Sequence, residues 1–490
     1  MKRPYLVIPL HVSERRVLLM VLDLVALNFG LFFMVALRPE HGLDLRIFVQ
    51  HPHWFLILSV LWLLMAHVFD CYDLARAGKL RSSLVATAKA GAITCGIYLF
   101  IPFITPTLPS SRLNLVLFFL FTLTFVAALR GLYILAFSQP FFRRKALVVG
   151  TGWEALAIAK AIKDYGSQVY QIVGFVSVGN PEGRKGGQAS GQNALSEITQ
   201  TGENRENKEI EKSKPVMGGM SELPRLIGDH QATTLILAYP GEMNGKLPGV
   251  LTECIELGVE IVPMPVLYEK LTGRVPIEHV GSQWRVAMPL QNPGDRLLWA
   301  ATKRLMDIVL VSLGFVCLAA AMPFIAAAIY IDSPGPIFYT QMRVGKGGRI
   351  FKAYKFRSMQ PRAENDGPVW AARNDPRATR VGRLLRKTHV DEFPQFWNIL
   401  KGEMSVVGPR SERPEFVQEL AREIPFYRVR HAVRPGMAGW GLVKQGYGGS
   451  KEEAVLKLQY DLYYIKHQSL WLDIVILIKT IIDTLTFRGR

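Results

Sequence analysis

The chain has 490 residues, 49% of them apolar, with a mean hydropathy of +0.17 and a formal charge of +18. That length allows two or three domains, at a hydropathy on the border between soluble and membrane proteins. The four cysteines, Cys71, Cys95, Cys254 and Cys317, are scattered and form no C-x-x-C, which argues against a zinc site or a disulfide framework. The positive charge calls for an anionic membrane surface or an acidic substrate, since no nucleic-acid-binding motif is present.

Four apolar runs come first, Val17–Leu37, His53–Phe69, Leu84–Ile104 and Leu113–Leu129, each long enough to cross a bilayer. Lys2, Arg3, Arg15 and Arg16 precede the first, Arg76, Lys79 and Arg81 follow the second, and Arg130, Arg143, Arg144 and Lys145 follow the fourth. The positive-inside bias then puts the N-terminus and everything after about Phe142 in the cytoplasm. No cleavage site follows the first run, so no removable signal is expected. Residues 1–142 are read as a transmembrane domain.

From Lys145 the sequence runs through a short apolar strand into Gly150-Thr-Gly152 and an alanine-rich helix, the opening of a Rossmann-like unit. Its second strand, Gln171–Val178, lacks the acidic residue that a dinucleotide's ribose needs, so a structural domain is expected and no bound cofactor. Residues 143–271 form this parallel-sheet domain, with a polar, disordered insertion at 179–214. Residues 272–297 read as a linker.

A fifth apolar run, Leu305–Ile331, contains Pro323 and has basic residues on both sides: Lys303 and Arg304 before, Arg343, Lys346 and Arg349 after. It reads either as a re-entrant helix that breaks at Met322-Pro323 and returns to the same leaflet, or as a spanning helix with a kink. Asp307, four residues beyond Lys303, can pair with it at the membrane edge. The closing stretch Leu470–Phe487, with Asp473, Lys479 and Asp483 among apolar residues, suits an amphipathic helix on the membrane surface or packed on the domain.

Between Gln341 and Val390 there are thirteen Lys/Arg against three Asp/Glu, and directly after them stand Asp391 and Glu392. Such a field attracts a phosphate-rich substrate and keeps a carboxylate pair ionised for nucleophilic attack or metal binding.

From Lys303 onward the chain resembles the bacterial sugar transferases, the monotopic phosphoglycosyl transferases. The resemblance lies in Lys303-Arg304-x-x-Asp307, Asp332-Ser-Pro-Gly-Pro336, Gln341-x-Arg-Val-Gly345, Phe351-x-x-Tyr-Lys355-Phe-Arg357-Ser-Met359, Asn374-Asp-Pro-Arg377, Asp391-Glu392, Val407-Gly-Pro-Arg410, Arg434-Pro-Gly436 and Asp461-x-Tyr-Tyr464. It implies a fold of membrane α plus α/β type: four transmembrane helices, the Rossmann-like domain, and at 298–490 an α+β catalytic domain anchored by a re-entrant helix at 305–331. It implies a reaction in which Asp391 attacks a UDP-sugar, UMP leaves, and undecaprenyl phosphate takes the sugar phosphate from the carboxylate. It further implies Mg²⁺ at Glu392, with Asp391 beside it, and substrate phosphates held by Lys355, Arg386 and Arg410. Asp461 is expected either at the substrate or as the partner of an arginine. The setting would be the bacterial inner membrane and its lipids, with the catalytic domain in the cytoplasm and a homodimer as the expected assembly. Relatives usually carry a small polar residue where this chain has His389, and Ser-Pro where it has Met322-Pro323.

Two other classes stay open. A membrane-bound NAD-dependent nucleotide-sugar dehydratase needs Tyr-x-x-x-Lys on a helix, and the sequence offers only Tyr447-Gly-Gly-Ser-Lys451 in a glycine-rich stretch. A scaffold for polysaccharide assembly would leave the carboxylate pair and its cations without a purpose.

Overall fold

The computed structural model describes residues 11–36, 44–101, 105–106, 112–137, 142–178, 215–239, 247–277, 297–361, 363, 375–445 and 450–486. The insertion at 179–214 and most of the linker at 272–297 lie outside the described residues. The chain forms two compact units, divided near residue 272.

The first unit begins with four packed helices, α1 (Val12–Ala36), α2 (Pro52–Val68), α3 (Leu80–Leu99) and α4 (Arg112–Phe137). Both their inner and outer faces are apolar: Leu19, Leu27, Leu31 and Trp62 are buried, while Val17, Val21, Val25, Leu120 and Leu132 point outward. A helix apolar all round has lipid as its natural solvent. By length and composition, α1 and residues 116–137 of α4 suffice to cross a membrane; α2 is apolar but has only 17 residues. Arg81, Lys89 and several hydroxyl residues dilute α3.

Helix α4 runs on past Leu129, where the sequence places the end of the fourth apolar run. Arg130 is not a flanking charge but a buried one, 1% exposed, and its guanidinium donates to Asp23 Oδ1 (3.1 Å) and Oδ2 (2.6 Å), the Cys71 carbonyl and Ser83 Oγ. A charge at that depth is tolerated only when paired and fully hydrogen-bonded. Arg15 is buried too, donating to the Phe142 and Gln168 carbonyls, so two of the arginines counted as topology signals serve as internal struts.

The α/β part follows as β1 (Arg144–Val149), α5 (Trp153–Ala161), β2 (Tyr170–Ser177), β3 (Val216–Gly219), α6 (Leu223–His230), β4 (Thr234–Leu237), α7 (Leu247–Glu256), β5 (Glu260–Pro263) and α8 (Met264–Thr272). The sheet is all parallel in the order β3-β2-β1-β4-β5. Its central strand is buried on both faces, with Ala146 to Val149 wholly covered, as a parallel sheet between helices requires.

The second unit is led by α9 (Leu297–Asp332), long and apolar enough to cross a membrane. The helix continues through Met322 and Pro323, so the expected interruption there is absent. Pro323 lies on the exposed side while the stripe Val311, Leu318, Met322, Ile325 and Ile329 packs inward, and the loss of one N–H does not end a helix held along its other face. Both ends of α9 are tied to the same unit. Arg304 donates to the Ile399 and Leu400 carbonyls, Lys303 pairs with Asp473, and Asp332 accepts from the Val381 N–H. The expected Lys303–Asp307 pair does not form, because Asp307 turns inward to accept from Ser405 Oγ and the Val406 N–H, both at 2.9 Å.

The remaining elements are an antiparallel hairpin β6 (Phe338–Val344) and β7 (Ile350–Phe356), α10 (Arg380–Lys387), a 3₁₀ turn (Val390–Gln395), α11 (Phe396–Lys401), β8 (Ser405–Val407), α12 (Pro414–Glu423), β9 (Gly436–Ala438), α13 (Trp440–Gln445), α14 (Lys451–Lys466) and α15 (Leu470–Leu485). Helix α15 buries Asp473 and Lys479 together with Val475 and Ile476, while Trp471, Ile474, Ile481 and Leu485 face out, so its charges lie on the packed side. The parallel pair β8–β9 brings Gly408 and Gly436 so close that a side chain on either would collide with the other strand's backbone.

Candidate active site

A cavity of about 560 Å³ opens in the second unit, and Lys355, Arg386, Asp391, Glu392 and Arg410 all line it. The sequence separates these residues by as much as 55 positions, and local geometry reunites them. His389 takes a left-handed conformation (φ 56°) after α10 and turns the chain into the 3₁₀ turn, whose first residues carry the two carboxylates. Asn398, wholly buried, accepts from the Tyr354 N–H and donates to the Lys352 carbonyl and to Glu403, clamping α11 to β7 and setting Lys355 against the turn.

The two carboxylates differ sharply. Glu392 Oε1 accepts from Lys355 Nζ (2.7 Å) and Arg410 Nη2 (2.6 Å), and Oε2 accepts from Arg410 Nη1 (3.2 Å). Burial works to raise its pKa, but Arg410 and Lys355 outweigh burial and hold it well below the usual carboxylate range. Asp391, 7% exposed, receives no hydrogen bond from the described residues, and its carboxyl is pushed up to about 6, chiefly by burial and then by the charge of Glu392. One carboxylate is locked and the other is left to react. That division of labour is a recurring sign of a working site.

Arg410 owes its position to a fixed loop. The Pro409 carbonyl accepts from the Gly436 N–H, Arg410 O from Arg430, Ser411 O from Arg343, and Glu412 O from the Val344 N–H. Beneath the loop, Glu412 pairs with Lys457 (3.1 Å) and lies near Arg430 and Arg343; burial opposes its ionisation, yet these cations bring its pKa down to about 2. This charge network was not foreseen from the sequence. Its one visible sign is Lys457 and Asp461, four residues apart on one face of α14.

Asp461, expected either at the substrate or as the partner of an arginine, is 2% exposed, accepts from Arg430 at 2.8 Å and does not line the cavity. His389 lines the cavity, and burial lowers its pKa, which leaves it neutral and without a charge to offer.

Magnesium binding by Glu392 does not fit this geometry. An octahedral Mg²⁺ needs free oxygen ligands, and both oxygens of Glu392 are engaged by Lys355 and Arg410. Asp391, the other carboxylate expected at the ion, receives no hydrogen bond from the described residues and lines the same cavity.

The Rossmann-like turn is a weaker candidate. Gly150 has φ of 123° and abuts the Ala238 carbonyl, as a tight strand-to-helix turn demands. At the start of α5, however, where a pyrophosphate would sit, the carboxylate of Glu154 folds back beside Gly152. A carboxyl group in that place competes with a pyrophosphate for the helix N-terminus. As for a dehydratase's Tyr-x-x-x-Lys, Tyr447 lies outside the described residues and Lys451 is spent on an exposed pair with Glu423.

Residues 298–487 match the family model described as "Bacterial sugar transferase". Among similar proteins, the UDP-N-acetylgalactosamine-undecaprenyl-phosphate N-acetylgalactosaminephosphotransferase of Aeromonas hydrophila is 42% identical over 248 residues, 51% of this chain and 57% of that protein. The UDP-glucose:undecaprenyl-phosphate glucose-1-phosphate transferase of Xanthomonas campestris pv. campestris is 32% identical over 274 residues, 55% of this chain and 57% of the relative. This chain therefore spans little more than half the length of these two. The exopolysaccharide production protein PSS of Rhizobium leguminosarum bv. phaseoli is 39% identical over 197 residues, 38% of this chain and 96% of that protein. With a relative matched over nearly its whole length and several of the family's motifs gathered around one cavity, the chain belongs to the bacterial sugar transferase family.

Proposed function

We propose that this protein transfers a hexose 1-phosphate from a UDP-sugar to undecaprenyl phosphate in the bacterial inner membrane, through a sugar phosphate held covalently on Asp391. The observation that carries the reading is the asymmetry of the carboxylate pair: Glu392 neutralised by Lys355 and Arg410, and Asp391 open to a cation-lined cavity. An Asp391 oxygen attacks the β-phosphorus, the bond to the bridging oxygen breaks, and UMP departs with that electron pair. A phosphate oxygen of the polyprenyl acceptor then attacks the same phosphorus and expels Asp391 as a carboxylate. Both attacking groups are already anions, so neither step needs a general base. What the protein must supply is positive charge around the transferring phosphoryl group, which Arg386 and Arg410 provide in directed, water-poor form. Splitting the transfer lets a soluble donor and a lipid acceptor use one site in turn.

The relatives' names divide between N-acetylgalactosamine and glucose donors, sugars that differ in the 2-substituent and in the configuration at C4, so the cavity must choose at one or both positions. Attachment of α9 to one folded unit at both ends supports insertion from one face of the bilayer, since a complete crossing would require that unit on both sides. The four N-terminal helices are proposed to cross the membrane, with the catalytic unit in the cytoplasm, where UDP-sugars are made.

The test is UMP release from a panel of UDP-hexoses by the full-length protein in nanodiscs with undecaprenyl phosphate. Acceptor-dependent turnover with one donor supports the reading, and a folded protein that is inert to every donor sinks it. The pH profile gives a second prediction. Asp391 must be ionised to attack, so kcat/KM should rise with pH through about 6 and level off above it. A flat profile between about pH 5 and 7 would remove Asp391 as the titrating nucleophile.

A further inference from the structure

The cavity's arginines and lysines account for the phosphates of a nucleotide sugar, but they assign no contact to its uncharged, hydroxyl-bearing part. Strand β6 offers one. Along it Tyr339, Gln341 and Arg343 line the cavity, with Phe338 at its edge, while Met342 is exposed and does not line it. Arg343 is spent on the Ser411 carbonyl and Glu412, which leaves a neutral pair. Gln341 Nε2 donates to the Tyr339 hydroxyl oxygen at 3.2 Å. Gln341 Oε1 is then an acceptor with no partner among the described residues. The pair stands close to the chemistry: Tyr339 is the direct cross-strand neighbour of Lys355, whose amine holds Glu392 beside the nucleophile.

We propose that Gln341, oriented by Tyr339, accepts a hydrogen bond from a hydroxyl of the donor, on its hexose or its ribose, and thereby sets donor affinity. This rests on the transferase reading above. A neutral amide suits that part of the donor, because an acceptor aimed at a hydroxyl discriminates without attracting the phosphates away from the arginines.

The experiment compares wild type, Gln341→Met and Tyr339→Phe as full-length protein in nanodiscs. It reads KM and kcat for the UDP-sugar, the active fraction from the UMP burst without acceptor, and inhibition by UMP. Loss of one neutral hydrogen bond should raise KM roughly 3- to 10-fold in Gln341→Met, and in the same direction in Tyr339→Phe, with kcat per active site changed less than about twofold. Unchanged UMP inhibition assigns the contact to the hexose, and UMP inhibition weakened in step with KM assigns it to the ribose. An unchanged KM with only a lower active fraction means that Gln341 merely holds the hairpin, and overturns the proposal. Wild-type protein that releases no UMP fails the transferase reading itself.

Discussion

Asp391→Asn is expected to abolish UMP release, with a loss of at least about 10³-fold, while the protein remains folded and becomes more stable at neutral pH. The activity loss follows from removing the group proposed to carry the sugar phosphate. The stability gain follows from linkage. The folded state raises the Asp391 pKa from 3.8 to about 6, so it favours the protonated acid. That favourable contribution is complete below the unfolded value and is lost as pH rises through about 6, leaving an ionised, poorly solvated carboxylate at neutral pH. Asn keeps the shape without the charge and should recover on the order of 2 kcal/mol. Thermal unfolding at about pH 5 and about pH 8 checks the sign: the advantage of the variant should appear at the higher pH and shrink at the lower. A variant less stable at both would mean that Asp391 is a structural residue.

Glu392→Gln should behave in the opposite way. Here the charged form is the stabilised one, since Lys355 and Arg410 are both bonded to it. Its depressed pKa confers stability that is present above the unfolded value of about 4.3 and is lost only well below it. Removing the charge leaves two part-buried cations facing each other with no anion between them, at a cost of up to about 3–5 kcal/mol. Activity should fall as well, because Arg410 loses the partner that aims it. Chemical denaturation of the purified variant measures the first effect, and UMP release the second. Stability equal to wild type would show that solvent, and not Glu392, neutralises the pair. The two adjacent carboxylates thus separate by sign: one substitution stabilises an inert enzyme, the other weakens the fold along with the chemistry.

What could be read from the sequence followed from how local each signal is. Apolar runs are legible because lipid demands a long uninterrupted stretch; the four N-terminal runs fall largely on helices, and two of these, α1 and α4, are long and apolar enough to cross a membrane. The Asp391-Glu392 pair and its basic surroundings were legible as one constellation because charge density and motif spacing are written along the chain. Pairings that only tertiary structure creates were not. Arg130 looked like a cytoplasmic flank, yet Asp23, 107 residues away, draws it inside the bundle. Lys303 and Asp307 have the spacing of a helical ion pair, yet each finds a better buried partner elsewhere in the unit. Asp461 carries the same lesson, since nothing near it in sequence announces Arg430. The charges on the packed side of α15 required knowing that Lys303 and Trp440 lie beneath it.

The central claim, a sugar phosphate carried on Asp391, is tested most directly by incubating the full-length protein with its UDP-sugar in the absence of undecaprenyl phosphate and reading the intact mass. The account predicts a stoichiometric release of UMP, a mass gain of one hexose phosphate that maps to the peptide bearing Asp391, and loss of that mass when undecaprenyl phosphate is added. UMP release that occurs only with acceptor present, from protein whose mass never changes, would contradict it and replace the two-step transfer with a single direct displacement.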